Sequence, residues 1–123
     1  FSLDPNDRAE SVAVEMLEAN PEALVVAVVD ATRIERGLNL VLELLERNQD
    51  VVVALNMWDE AREKNIDVDV DAVESLLGVP VVPTVATEGR GVQRLIDRFD
   101  EAASPPIGTV RNRIQDVAKP ADG

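Results

Sequence analysis

Three Val-rich runs, each of strand length and none interrupted by a charge, fix most of what this chain can become: Leu24 to Val29, Val51 to Leu55, and Val79 to Val85. A strand with one wet face alternates polar and apolar residues. Unbroken apolar runs belong to strands buried on both faces, as in parallel sheets. Segments of helical period separate them. Leu38, Val41, Leu42 and Leu45 mark one helix, ending near Asn48; Val92, Leu95, Ile96 and Phe99 mark another. A short helix is expected from about Asp59, and one around Ala72 to Leu77 is closed by Gly78. Upstream, Asp4-Pro5 opens a helix carrying Ala9, Val12, Ala13 and Met16, and Asn20-Pro21 stops it. Alternating strands and helices define an α/β layered fold with right-handed crossovers. Pro80 and Pro83 put the third strand at a sheet edge, because proline donates nothing to a ladder. Residues 1–103 read as the folded unit. Residues 104–123 open on Pro105-Pro106 and read as a linker or short helix, with Val110, Ile114 and Val117 at helical spacing.

Three strands make a small parallel sheet. The run from Leu24 to Val29 is as apolar as a central strand, yet only one neighbour for it is visible. The expectation is therefore the C-terminal half of a larger α/β domain, with the outer edge of this first strand left to pair with another strand or a second copy of the chain.

Composition removes several function classes. The chain has 123 residues, with no Cys and no His, which excludes a disulfide framework, a Cys nucleophile and a His general base. Its 24 acidic residues outnumber 12 basic ones, a formal charge of −12, which argues against nucleic acid as a partner. The basic residues are Arg except Lys64 and Lys119, a pattern that fits a protein adapted to high salt.

Chemistry in such sheets is sought beyond the carboxyl ends of the strands. The second strand ends in Asn56-Met57-Trp58-Asp59, which resembles the guanine-reading Asn-Lys-x-Asp motif of small GTPases with Met at the Lys position. An ionised Asp accepts from both N1–H and the exocyclic amine of guanine, a donor pair that adenine lacks. The third strand ends in Val85-Ala86-Thr87-Glu88-Gly89-Arg90-Gly91, whose small residues let backbone approach a ring, with the Ala86 N–H directed to guanine O6. The plainer alternative makes Asp59 a helix N-cap and Asn56 a turn residue. Glu60, Glu63 and Glu88 read as solvated carboxylates, and no catalytic or metal-binding set emerges.

The order and spacing of Val28-Val29-Asp30-Ala31-Thr32, Val51 to Ala61, Leu76 to Thr84 and Gly89-Arg90-Gly91 resemble the cytoplasmic G domain of the FeoB family, the prokaryotic ferrous iron transporters, over about residues 1 to 100. Phe1-Ser2-Leu3 resembles the segment just after the family's Asp-x-Pro-Gly switch motif. The resemblance implies a partial P-loop-GTPase-like three-layer fold, with three parallel strands, flanking helices and the phosphate-loop half missing. It implies that Asn56 and Asp59 read the base of GTP or GDP, that Met57 packs against it, and that Val85, Ala86 and Thr87 form the second base-contacting loop. No G-x-x-x-x-G-K-[ST] loop occurs in these residues, so the Mg²⁺ site belongs to the missing half, and the fragment alone is expected to be inactive. The implied partners are that missing half and the membrane domain of the parent, with this segment on the cytoplasmic side. The rival reading is a non-catalytic α/β interaction module that uses an exposed sheet edge.

Overall fold

The computed structural model describes residues 24–118; the helix expected between Asp4 and Asn20 lies outside them. Three parallel strands form one sheet in the order β1-β2-β3: β1 Leu24–Asp30, β2 Asp50–Asn56 and β3 Val81–Pro83. The β1–β2 register runs from Leu24 opposite Asp50 to Asp30 opposite Asn56. The much shorter β2–β3 ladder runs from Val53 opposite Val81 to Leu55 opposite Pro83. β2 is central, and Val51 to Leu55 are all buried, as an unbroken apolar run requires. Each Val or Leu side chain among them contributes about 1.5–3 kcal/mol by leaving water.

The third strand is shorter than its apolar run. Pro80 and Pro83 bracket it, Val79 lies before it, and Val85 instead makes an isolated antiparallel bridge to Arg90. Its place at the edge follows from the same prolines.

Helices cover the two faces unequally. On one face lie α1 (Ile34–Glu46), α2 (Trp58–Glu63), α3 (Val70–Leu77) and α5 (Ile107–Ala118). They enclose a core built on Val29, Val41, Leu45, Val53, Leu55 and Leu77. α1 approaches β1 so closely that a Cβ on Gly37 would stand 2.1 Å from Val29 Cγ1. α3 begins two residues before the sequence pattern implied, because the Asp69 carboxylate accepts from the Ala72 N–H and caps it. Gly78 closes it in the left-handed conformation, as expected. The helix after Pro106 joins the same core: Val110 is fully buried, and Arg111 pairs with Glu46 of α1.

The other face has a smaller cluster, in which α4 (Val92–Asp97) lays Leu95 over Val52, Ala54 and Val82. Beyond α4 and Val26, nothing among the described residues covers the β1 part of this face. Val28 is 59% exposed, Leu24 38% and Ile96 46%.

Candidate functional site

The carboxyl ends of β2 and β3 meet through one side chain. Asn56 is the last residue of β2, and its Oδ1 accepts from the Thr84 hydroxyl at 3.2 Å and from the Ala86 N–H at 3.0 Å. Backbone bonds support the same junction: Thr84 N–H donates to the Leu55 carbonyl at 2.9 Å, and Trp58 N–H to the Thr84 carbonyl at 3.2 Å. The two loops singled out by the sequence are therefore one structural unit. Thr84 is the residue that sequence reasoning missed. It is 4% exposed, and a lone polar residue at the end of an apolar strand was the available signal.

The chain turns sharply between β2 and α2. Met57 takes a left-handed conformation, φ 59°, and α2 starts at Trp58. This overturns the plainer reading of Asp59. It lies inside the first turn, not at the N-cap, and no side chain caps this helix. Among the described residues the Asp59 carboxylate has no hydrogen-bond or ion-pair partner, and it borders an open pocket of about 370 Å³ shared with Trp58, Arg62, Thr84 and Arg90. Trp58 is half-buried, with its body packed on the main core.

The second loop divides into buried and exposed parts. Val85 is 6% exposed, and its N–H donates to Arg90 while its carbonyl accepts from Glu88 and Arg90. Ala86 and Thr87 are exposed. The Ala86 N–H, assigned to guanine O6 from the sequence, is held by Asn56 Oδ1. Glu60, Glu63 and Glu88 form no metal-holding group; among the described residues no such cluster exists.

Two carboxylates titrate low. Asp30 ends β1, and the Thr32 hydroxyl and N–H donate to it at 2.6 and 2.8 Å, which lowers its pKa. Glu74 of α3 is lowered chiefly by the Arg98 guanidinium at 2.6 Å, against the opposing effect of burial. A depressed carboxyl stabilises the fold above its unfolded pKa and loses that contribution as pH falls through the folded one. The melting-temperature gap between the wild type and Glu74→Gln should be widest above about pH 5 and close in acid. Comparing the two proteins cancels the relief of charge repulsion on protonating the other acids. A gap that persists unchanged at low pH would show that Glu74 stabilises nothing through its charge.

These three parallel strands and their flanking helices form part of the G-domain fold of the P-loop GTPases, with its strand-end loops held together at one rim. The FeoB G-domain from Methanococcus jannaschii superposes with a TM-score of 0.76 at 35% identity, over 90% of this chain and 67% of that one. The cytosolic domain of the T. maritima FeoB iron transporter, in its GMPPNP form, gives 0.74 at 32% identity, over 81% of this chain and 40% of that one. The family model of ferrous iron transport protein B matches residues 1–99, and the chain belongs to that family. The Fe(2+) transporter FeoB of Escherichia coli (strain K12) is 43% identical over 93 residues, covering 73% of this chain. That of Salmonella typhimurium (strain LT2) is 45% identical over 94 residues, covering 74%. The chain spans 12% of the length of these two relatives. Among the described residues no helix is long and apolar enough to cross a membrane.

Proposed function

We propose that this chain supplies the guanine-reading side of a GTP-binding domain, within a transporter whose GTP hydrolysis accompanies Fe²⁺ uptake. The observation that carries the proposal is the Asn56 junction together with the Asp59 carboxylate, which among the described residues has no partner and borders a pocket at the rim where the two loops meet. In this reading Asp59 accepts from N1–H and the exocyclic amine of guanine. The Asn56 amide nitrogen faces the purine edge, its oxygen already committed to the loop after β3. Met57 packs on the ring. Ala86 and Thr87 form the rim, with the Ala86 N–H shared between Asn56 and guanine O6, and Val85 backs them from the core. Phosphates and Mg²⁺ fall to the remainder of the parent domain, and α5, within residues 104–123, packs on this domain's core before the chain leads toward the next.

The test is Asp59→Asn in the full-length transporter that this reading implies. An amide presents one donor where a two-point acceptor stood. Xanthine, with a carbonyl in place of the guanine amine, suits that donor. GTP binding should weaken by about a hundredfold or more and xanthosine triphosphate should gain relative to it, since sites built on hydrogen bonds reject mismatched groups strongly. Titration calorimetry with both nucleotides and ATP reads the result. Unchanged affinity and preference would remove Asp59 from the base site.

A further inference from the structure

Among the described residues the outer edge of β3 is finished by a side chain instead of another strand. Val53 N–H donates to the Pro80 carbonyl at 2.8 Å on the inner side. The Val81 N–H donates to Glu74 Oε1 of α3 at 2.9 Å, and Pro83 has no N–H to give. The same Glu74 oxygen receives Arg98 Nη1 at 2.6 Å, and Arg98 is held in turn by Glu101 through Nε at 3.1 Å and Nη2 at 3.2 Å. Arg98 follows α4 on one face of the sheet and Glu74 belongs to α3 on the other, so the ion pair wraps around the sheet edge. α4 also grips the opposite end of β3, where a Cβ on Gly91 would stand 2.2 Å from the Pro83 carbonyl oxygen. A strand only three residues long is thereby fixed at both ends, and it leads directly into Thr84 and Ala86.

We propose that Glu74 is a positioning residue for the base-reading loop: its carboxylate, oriented by Arg98, anchors the outer edge of β3 and so holds Thr84 and Ala86 against Asn56. The significance of that loop rests on the guanine reading above; the anchoring itself does not. Without the anchor, β3 depends on its short ladder to β2, and its exit into the loop loosens. Arg98 sits where α4 passes into the 99–101 turn and the Ala103 bridge to β2, so a displacement of that connection reaches the loop through the ion pair.

Amide hydrogen exchange on the 123-residue chain tests this without any nucleotide. Glu74→Ala should raise exchange at Thr84 and Ala86 by about tenfold relative to Val52 and Ala54 of β2, the scale of a lost hydrogen bond to a charged acceptor. Glu74→Gln keeps an acceptor for Val81 and should restore part of the protection at Thr84 and Ala86 relative to β2, whereas a mere change in overall stability would move loop and β2 together. Should Glu74→Ala fail to fold, Glu74→Gln and Arg98→Lys carry the same comparison, each loosening the loop more than the central strand. Exchange at Thr84 and Ala86 that rises only in step with β2 overturns the proposal. Loosening of the loop in a protein whose guanine preference proves absent would sustain the anchor and remove the guanine reading.

Discussion

Gly91→Ala is expected to be among the most damaging single substitutions in the chain. Gly91 lies at the start of α4 with φ 77°, and a Cβ there would meet the Pro83 carbonyl oxygen at 2.2 Å and the Thr84 Cα at 3.3 Å. A left-handed residue with a side chain costs about 1 kcal/mol by itself. The clash adds more, because the opposing atoms are backbone and no rotamer change relieves them. α4 must withdraw from β3, which opens the smaller core around Leu95. The total loss is about 3–5 kcal/mol, a large fraction of a small domain's stability. Two other glycines separate these causes. Gly89 has φ 71° with open space around it, so Gly89→Ala carries only the conformational cost. Gly108 sits in α5 with nothing nearby, so Gly108→Ala should be neutral or slightly stabilising. Thermal melts should therefore rank Gly108→Ala at or above wild type, Gly89→Ala below it and Gly91→Ala far below both. Equal losses at Gly89 and Gly91 would refute the close approach of α4 to β3.

The second large effect concerns the opposite edge of the sheet. β1 has no further partner strand among the described residues, and beside that bare edge Val28 and Leu24 are exposed. Ile96 of α4 adds apolar surface. The contrast with β3 is chemical. One edge is closed by Glu74 and Pro83, while the other presents the apolar run Leu24 to Val29, with no charge or proline within it to deter pairing. Opposing association is the charge of −12, which makes two copies repel. Screening shortens the reach of that repulsion from about 10 Å at 0.1 M salt to about 3 Å at 1 M. The 123-residue chain should therefore self-associate increasingly as salt rises, and Val28→Lys should suppress this by placing a charge on the pairing edge. Sedimentation across a salt series measures it. A monomer at every salt concentration, or association indifferent to Val28→Lys, would locate the adhesive surface elsewhere or remove it. In the parent protein the same edge is where the rest of the G domain is proposed to pair.

How much of this was legible beforehand depended on the distance over which each feature is encoded. The strands, the helices and the helix stops are set by residues a few positions apart: unbroken Val runs, Leu38 to Leu45 at helical spacing, Gly78 after Leu77. The prolines placed β3 at the edge for an equally local reason, the missing donor. Asn56 and Asp59 were legible because the motif sits at a strand end. What escaped was everything that depends on which groups meet. Asn56 reaches Thr84 and Ala86 across 28 and 30 positions, so nothing near Asn56 marks its partners. Arg98 and Glu74 are 24 positions apart on opposite faces of the sheet, and the Val81 N–H joins them only because β3 is short. The Ala86 N–H meets Asn56 for the same reason. By itself the sequence determined the elements and the chemical types at the strand ends, since backbone sterics, side-chain period and capping act within a turn or two. Only the tertiary structure decided which donor meets which acceptor, because a hydrogen bond requires atoms about 3 Å apart, and chain returns from different helices and strands create that proximity.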